Sequence, residues 1–179
     1  MADALEELEK QVKRRNFDSP PLHLWHPALS GDIPIRIAAD GTWYHDGTVI
    51  RRESLVRLFA SILRREDDGH YYLVTPAEKW RISVELHPLV VTDVSAVEEG
   101  ETAVLRATLN TGKSVDIDAR HSLFFEPTLG DIPALRLDHG LTALCSRPAW
   151  YRLVDLAEER DGVPTLSSGD YHFALVPQP

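Results

Sequence analysis

Apolar and polar residues alternate along this chain in two rhythms, one helical and one strand-like. Near the N-terminus, Leu5, Leu8 and Val12 fall on one face among charged neighbours, as in an amphipathic helix. The stretch RRESLVRLFASILRRE repeats its apolar residues at the i, i+3, i+4 and i+7 positions. A third helix is predicted between Arg147 and Glu159. The pattern therefore predicts three short helices, each with one buried face.

Between the helices, short apolar runs bounded by turn residues indicate β-strands. Asp40-Gly41 and Asp46-Gly47 stand between β-prone residues, where glycine supplies the positive φ that a tight hairpin turn needs. We expect a three-stranded meander there. The region 81–117 holds evenly spaced β-prone runs broken by turns, which favours a curved antiparallel sheet.

The tetrapeptide GDIP occurs twice, at Gly31–Pro34 and at Gly130–Pro133, and each copy opens an eleven-residue stretch that ends in glycine. A turn, an amphipathic helix, a loop and a strand follow both copies. We interpret this order as a repeated hairpin, helix and strand motif. Two such units would enclose a groove, and interfaces between lobes are favoured places for ligand sites.

The predicted fold class is therefore α+β with two small lobes. A peripheral N-terminal helix or arm is expected over residues 1–19, followed by an α+β lobe over 20–78. The β-rich C-terminal lobe is expected over 79–179, with a curved antiparallel sheet that the third helix closes.

Composition narrows the classes of partner. Acidic residues outnumber Lys and Arg by 28 to 19, and the formal net charge is −9, so the chain lacks the excess of cations that binds nucleic-acid polymers. No apolar run is long enough to cross a membrane. The single cysteine, Cys145, excludes an internal disulfide framework and multi-cysteine metal sites. We expect a cytoplasmic protein that binds neither membranes nor nucleic-acid polymers.

Motifs of the common enzymes are missing from the sequence. It has no G-x-S-x-G elbow, no Walker-type loop, no H-E-x-x-H and no G-x-G-x-x-G after a strand. We therefore expect no cofactor and favour a non-catalytic role. His23 and His26, with His45 or Asp32 as a third ligand, keep a metal-dependent hydrolase open as an alternative.

Aromatic and cationic side chains recur near the predicted strand ends and turns. Arginine offers phosphate a planar fork and tryptophan offers a stacking surface, which together suit a small nucleotide-like anion. The predicted ligand-binding residues are Trp25, Arg36, Trp43, Lys79, Arg81 and Arg147. The cations would hold the ligand's charge, and the two tryptophans would stack against it.

These residues lie in stretches that resemble a known family. The segment LHLWHPALSGDIPIRIAADGTWYHDG, the block YYLVTPAEK and the later GLTALCSRPAWYRLVDLAEE are similar to the bacterial domain-of-unknown-function family numbered 1285. The residues tied to the family pattern are Trp25, Gly31, Asp32, Arg36, Asp40, Gly41, Trp43, Gly47, Arg52, Thr75, Glu78, Lys79 and Arg147. The chain departs from that pattern at Pro34 and over residues 86–89.

The resemblance implies an α+β protein with a duplicated motif and a C-terminal lobe like a pleckstrin-homology domain. It implies no established enzymatic activity. It also implies a nucleotide-like ligand at the interface of the lobes and a role in bacterial signalling or stress responses.

Three hypotheses follow from the sequence. The first is a non-catalytic module that binds a small anionic ligand in the groove between the lobes. The second is a protein-interaction adaptor whose pleckstrin-like lobe binds a peptide beside its C-terminal helix. The third is the metal-dependent hydrolase built on the three histidines.

Overall fold

A computed structural model describes residues 3–13 and 19–176 of the chain. The chain divides into two compact units, Met1–Pro88 with His139–Leu141 and Leu89–Asp138 with Thr142–Pro179. We call them the first and the second unit. Three sheets and three α-helices lie within the described residues, which confirms the predicted α+β class. None of these helices is long and apolar enough to cross a membrane.

The first unit contains a six-stranded sheet and two α-helices. Its elements are, in chain order, α1 (Asp3–Lys13), β1 (Leu29–Ile37), β2 (Trp43–His45), β3 (Thr48–Val49), α2 (Glu53–Ser61), β4 (Leu63–Arg65), β5 (Tyr71–Val74) and β6 (Lys79–Val84). A short 3-10 turn, Leu22–Leu24, precedes β1. The strand order is β3-β2-β1-β6-β5-β4, in which β1 runs parallel to β6 and all other neighbours are antiparallel.

One side of this sheet and both helices form the core of the first unit. Ile33, Ile35 and Ile37 alternate along β1 and are at most 5% exposed, as expected for a strand with one buried face. Phe59 of α2 and Leu8 of α1 are fully buried, and the two helices pack against each other. The first predicted helix is confirmed over its described residues, and residues 1–2 and 14–18 of the predicted arm lie outside them.

The predicted meander is confirmed as β1, β2 and β3. Asp46-Gly47 forms its second turn with φ angles of +48° and +75°, which suits the tight turns that join two antiparallel strands. Beyond α2, the sheet continues into β6, which lies between β1 and β5. The first unit therefore includes Lys79–Val84, and the domain boundary predicted at residue 78 falls just before this strand.

The second unit contains another six-stranded sheet, a three-stranded sheet and one α-helix. Its elements are β7 (Leu89–Glu99), β8 (Thr102–Leu109), β9 (Ser114–Asp116), β10 (Leu123–Phe125), β11 (Pro133–Arg136), β12 (Thr142–Cys145), α3 (Arg147–Leu156), β13 (Glu158–Arg160), β14 (Val163–Ser168) and β15 (Tyr171–Ala174). The larger sheet has the order β10-β11-β12-β7-β8-β9, with β7 parallel to β12. The smaller sheet, β13-β14-β15, is antiparallel.

Helix α3 packs on the larger sheet of the second unit. The Oγ of Ser146 caps the helix by accepting a hydrogen bond from the N–H of Ala149 at 3.3 Å. Ala149 and Leu153 are fully buried, and the helix contacts β7 and β12. It ends at Leu156 rather than at the predicted Glu159, because Glu158–Arg160 pairs with β14 as a strand.

The two six-stranded sheets share one topology. Each consists of two successive three-stranded meanders, and the first strand of the first meander pairs in parallel with the last strand of the second. The two GDIP segments do not occupy matching places in this repeat. Gly31–Pro34 lies in the first strand of its sheet, whereas Pro133 begins the fifth strand of the other. The repeat is in the order of the strands and not in the tetrapeptide.

Candidate functional site

The sheet of the first unit has a polar face on the side away from the isoleucines of β1. Side chains directly opposite each other on neighbouring strands point to the same face of a sheet. The register pairs Tyr72 with Arg64 and with Arg81, and Arg81 with Asp32. We call this surface the outer face and define it by Asp32, Arg36, Tyr44, Arg64, Glu66, Tyr72, Lys79, Arg81 and Glu85.

A bulged stretch of β1 shapes the middle of the outer face. Eight residues of β1, Leu29–Arg36, run beside only five residues of β6, Lys79–Ser83, because the register shifts on either side of Gly31 and Asp32. Gly31 has a φ of +146°, a conformation open to glycine. Pro34 lies within the second shift, where the ladder does not need its missing N–H. The bulge therefore places Asp32 directly in front of Arg81.

Asp32 and Arg81 form a two-point ion pair at this bulge. The Nε of Arg81 donates to Oδ1 of Asp32 at 2.7 Å, and Nη2 donates to Oδ2 at 3.0 Å. The side chains are 39% and 66% exposed for Arg81 and Asp32 respectively. The hydrogen bonds from Arg81 lower the pKa of Asp32 below its ordinary value, and the same pairing raises the pKa of Arg81. The guanidinium plane is thus fixed by a carboxylate that faces water.

Arg36 forms the second exposed pair of the outer face. Its Nη1 donates to Oε1 of Glu85, and the other oxygen of Glu85 accepts the backbone N–H of Ala39 at 3.0 Å. The guanidinium carbon of Arg36 lies 4.2 Å from the centre of the Tyr44 ring, within cation–π range. Arg36 therefore also presents a planar cation whose orientation is set by its neighbours.

Glu66 links two further cations of the outer face. Its Oε1 accepts from Nη2 of Arg64 at 2.7 Å, and its Oε2 accepts from Nζ of Lys79 at 2.9 Å. Partial burial acts to raise the pKa of Glu66, but the hydrogen bonds from Lys79 and Arg64 lower it on balance. Lys79 Nζ also lies 4.7 Å from the centre of the Tyr72 ring. The Tyr72 hydroxyl donates to Asp68, which raises the pKa of Tyr72 to about 12.

Arg64 also holds the segment that contains Trp25. Its Nη1 donates to the carbonyl oxygens of Leu22 and Trp25 at 2.9 and 2.8 Å. Leu22 is buried and Trp25 is half-buried. The chain before β1 is thereby fixed beside the outer face, with the Trp25 ring partly open to solvent.

The structure brings together part of the predicted site. Arg36, Lys79 and Arg81 share the outer face, and Trp25 joins it through Arg64. Sequence reasoning missed the carboxylates Asp32, Glu66 and Glu85 as partners of these cations. The sequence did contain a pointer to one of these carboxylates, because Asp32 belongs to the repeated GDIP tetrapeptide that lies at the bulge.

Two predicted site residues lie elsewhere. Trp43 is only 2% exposed and packs against Phe59, with ring centres 6.4 Å apart. It faces the core because it alternates with Tyr44, whose ring lies under Arg36, so its prediction as a stacking surface for a ligand is corrected. Arg147 is exposed at the first position of α3 in the second unit.

The residues considered for metal or thiol chemistry are also placed by the structure. His23 belongs to the 3-10 turn, His26 follows it, and His45 ends β2. Within residues 3–13 and 19–176, no three His, Cys, Asp or Glu side chains come together as a metal-binding group. Burial raises the pKa of Cys145 to about 12, so its thiol stays protonated at neutral pH.

Comparison with family models decides which family this fold represents. Residues 20–86 match the N-terminal domain of the domain of unknown function DUF1285, and residues 88–175 match its C-terminal domain. The protein belongs to the DUF1285 family. Two solved DUF1285 structures are similar along most of their own lengths. Curated proteins give no match.

The solved DUF1285 proteins come from two bacteria. The one from Silicibacter pomeroyi DSS-3 is 40% identical, with a TM-score of 0.82, over 95% of this chain and 94% of that one. The one from Shewanella baltica OS155 is 30% identical, with a TM-score of 0.58, over 69% of this chain and 91% of that one. The family resemblance seen in the sequence is confirmed, and the two matched domains of DUF1285 meet near Pro88, where the first unit ends its main segment.

Proposed function

We propose that this DUF1285 protein is a non-catalytic module that binds a small anionic, nucleotide-like ligand on the outer face of the first unit. The observation that carries the proposal is the Asp32–Arg81 pair at the bulge of β1, where an arginine fork faces solvent. Bulges are frequent beside functional sites, because they redirect a side chain without breaking the sheet. The sequence alone favoured a groove between lobes, whereas the proposal rests on one sheet.

The chemistry of the exposed pairs suits anion binding. Arginine binds phosphate oxygens through two parallel N–H donors. Arg81 is held as such a fork by Asp32, and Arg36 donates to Glu85 through Nη1. Their present partners, Glu85 and Asp32, are exposed carboxylates. Exposed ion pairs contribute little to folding stability, so a ligand exchanges for such a carboxylate at low cost. We assign the stacking role to Trp25, whose backbone carbonyl accepts a hydrogen bond from Arg64 of the outer face.

The second unit shows that the topology itself does not require these charges. Its central parallel pair joins Ala143, Leu144 and Cys145 to Leu89, Val90 and Val91, all of them apolar. The equivalent pair in the first unit joins Asp32 to Arg81. Two sheets of one topology thus differ in charge at their centre, which supports a role for the charged centre other than folding.

A module that binds without reacting serves as a sensor of its ligand. We therefore extend the proposal to bacterial signalling or stress responses in the cytoplasm. The charged side chains of the outer face are engaged with one another rather than with a nucleophile, which favours binding over catalysis.

Isothermal titration against nucleoside mono-, di- and triphosphates and cyclic dinucleotides tests this function. We expect saturable binding of at least one of them and a loss of about tenfold or more in affinity for Arg81→Ala, because a charge-assisted fork is removed. Arg106→Ala is the matched control, since Arg106 forms a similar exposed pair with Asp116 in the second unit. No binding to the wild type, or an equal loss in both variants, would contradict the proposal.

A second candidate function concerns the second unit. Tyr151 and Val154 are 59% and 49% exposed and lie one turn apart on α3, the spacing that helices use to contact partners. We propose α3 as the closing helix of a pleckstrin-like lobe and this apolar pair as the contact of a protein-interaction adaptor.

Capture experiments separate the adaptor from the ligand-binding module. An adaptor retains one protein from a bacterial lysate in a saturable way, insensitive to added nucleotide, and loses it when Tyr151 and Val154 are both replaced by serine. Unchanged capture by the double variant would exclude this surface. The hydrolase alternative, based on His23, His26 and His45, stays a prediction that elemental analysis of protein purified without chelators decides.

A further inference from the structure

Asp32 stands where a ligand's anionic group would have to bind. Both oxygens of its carboxylate accept hydrogen bonds from the fork of Arg81, so the donors best suited to phosphate are already engaged. Three N–H groups of that guanidinium remain, two on Nη1 and the second one on Nη2. An anion that binds Arg81 through its Nε and Nη2 edge must therefore displace Asp32.

The side chain of Asp32 is free to leave. It is 66% exposed and sits between two register shifts, beside a glycine in a conformation that other residues rarely adopt. Rotating it into water exchanges one set of hydrogen bonds for another in a solvent-facing position, where ion pairs are weak. The carboxylate behaves as an internal competitor rather than as a fixed part of the framework.

The backbone of Arg81, in contrast, is held in place by its strand. It lies on β6 between hydrogen-bonded strands, and Tyr72 stands directly opposite on β5. Tyr72 and Asp68 are close enough to help raise the pKa of Arg81, and His70 is close enough to help lower the pKa of Asp32. Lys79 lies two residues before Arg81 on the same face, about 7 Å away along the strand. A displaced Asp32 would leave the guanidinium of Arg81 open to another anion, with a second cation nearby.

We propose that Asp32 is an autoinhibitory carboxylate which a phosphoryl group replaces, and that the ligand of this site therefore carries a phosphoryl group rather than only carboxylates. The inference rests on the proposed function and names the chemical class of its ligand. An internal competitor lowers the affinity of every anion by the same factor. Only a group that binds Arg81 strongly, through three oxygens and up to two charges, stays bound at moderate concentration.

Replacing Asp32 tests the inference with inorganic pyrophosphate as the probe. Isothermal titration compares the full-length wild type with Asp32→Asn and Asp32→Ala, and thermal melting confirms that each variant folds. We expect both variants to bind pyrophosphate about three- to tenfold more tightly than the wild type. Malonate, a dicarboxylate probe, should bind the wild type more weakly than pyrophosphate does. Its affinity should rise by a similar factor in the two Asp32 variants.

Two controls separate competition from a general effect of charge. Asp68→Asn removes a carboxylate that faces Arg81 without occupying its fork, since Asp68 accepts from Tyr72. Asp116→Asn removes one of the two carboxylates that pair with Arg106, an arginine of similar exposure in the second unit. Both control variants should gain less than half as much affinity for pyrophosphate as Asp32→Asn does. A gain of equal size in either control would overturn the inference.

The remaining outcomes are also decisive. Unchanged or weaker binding of pyrophosphate by both Asp32 variants, or no binding by any variant, would overturn the inference. Tighter malonate than pyrophosphate binding would overturn the assignment of a phosphoryl group. If the Asp32 variants gain affinity for pyrophosphate while no nucleotide binds the wild type, the inference stands and the nucleotide-like function fails.

Discussion

At the scale of single residues, the decisive question is which face of the sheet a side chain reaches. Trp43 and Tyr44 are neighbours in one hairpin strand, yet the first is buried against Phe59 and the second supports Arg36. The sequence places Arg36, Lys79 and Arg81 in or beside strands. It does not show their carboxylate partners, because these lie in strands or directly after strands whose register is set by long-range pairing.

Trp43 should behave as a core residue and not as part of a ligand site. Trp43→Ala should lower the free energy of unfolding by about 3–5 kcal/mol, because it opens a cavity beside Phe59. Trp43→Phe should cost clearly less, since within the described residues the indole N–H has no hydrogen-bond partner to lose. Urea unfolding measures both. A Trp43→Ala variant of unchanged stability with reduced nucleotide affinity would instead make Trp43 part of a ligand site.

At the scale of elements, the bulge in β1 is the feature that creates the candidate site. Local pattern predicts a strand over its buried isoleucines, but not the three additional residues that β1 carries beside β6. A bulge depends on the parallel partner, which lies almost fifty residues further along the chain at Arg81. The first GDIP segment forms this bulge, whereas the repeat that the structure shows is in the order of the strands.

Gly31 should be more sensitive to alanine than a glycine in an open turn. An added Cβ would lie 3.3 Å from the Trp80 ring, and the φ of +146° is strained for other residues. Gly31→Ala should destabilise the protein by about 1–3 kcal/mol and weaken ligand binding with it. Gly112→Ala is the control for the contact with Trp80, because its φ of +86° is also strained for alanine but nothing lies within 4 Å of the added Cβ. Equal costs in urea unfolding would argue against a constrained bulge.

The cap of α3 gives a prediction for the second unit. Ser146 accepts the N–H of Ala149 at the start of the helix. Ser146→Ala should therefore lower the free energy of unfolding by about 1 kcal/mol. Ser146→Asp should retain most of the stability, because aspartate also caps helices. Denaturant midpoints test this, and a full loss in Ser146→Asp would mean that the cap is not the cause.

At the scale of the whole molecule, two sheets repeat one strand order while their central pairs differ in chemistry. The sequence was sufficient for the α+β class and for the family. It was not sufficient for the shared topology, since the parallel pairing of first and last strands joins residues far apart in the chain. Two meanders look alike locally whether or not they belong to one sheet.

The acidic side chains of both units predict how stability depends on pH. Hydrogen bonds from their partners lower the pKa values of Asp32 and Asp116, through Arg81 and Arg106. A lowered pKa in the folded state contributes stability above the ordinary carboxyl pKa of about 4, and this is lost as pH falls through the folded value. The urea midpoint should therefore fall progressively below about pH 4. A midpoint that rises on acidification would contradict this assignment.

The central claim is that Arg81 binds the anionic group of a ligand. Nuclear magnetic resonance of the arginine Nε–H groups observes it directly, with Arg106 as the internal reference, since both Nε groups donate to an aspartate at 2.7 Å. During titration with pyrophosphate, the account predicts a saturable shift of the Arg81 signal and an almost constant Arg106 signal. An unchanged Arg81 signal, or equal shifts of both, would contradict it.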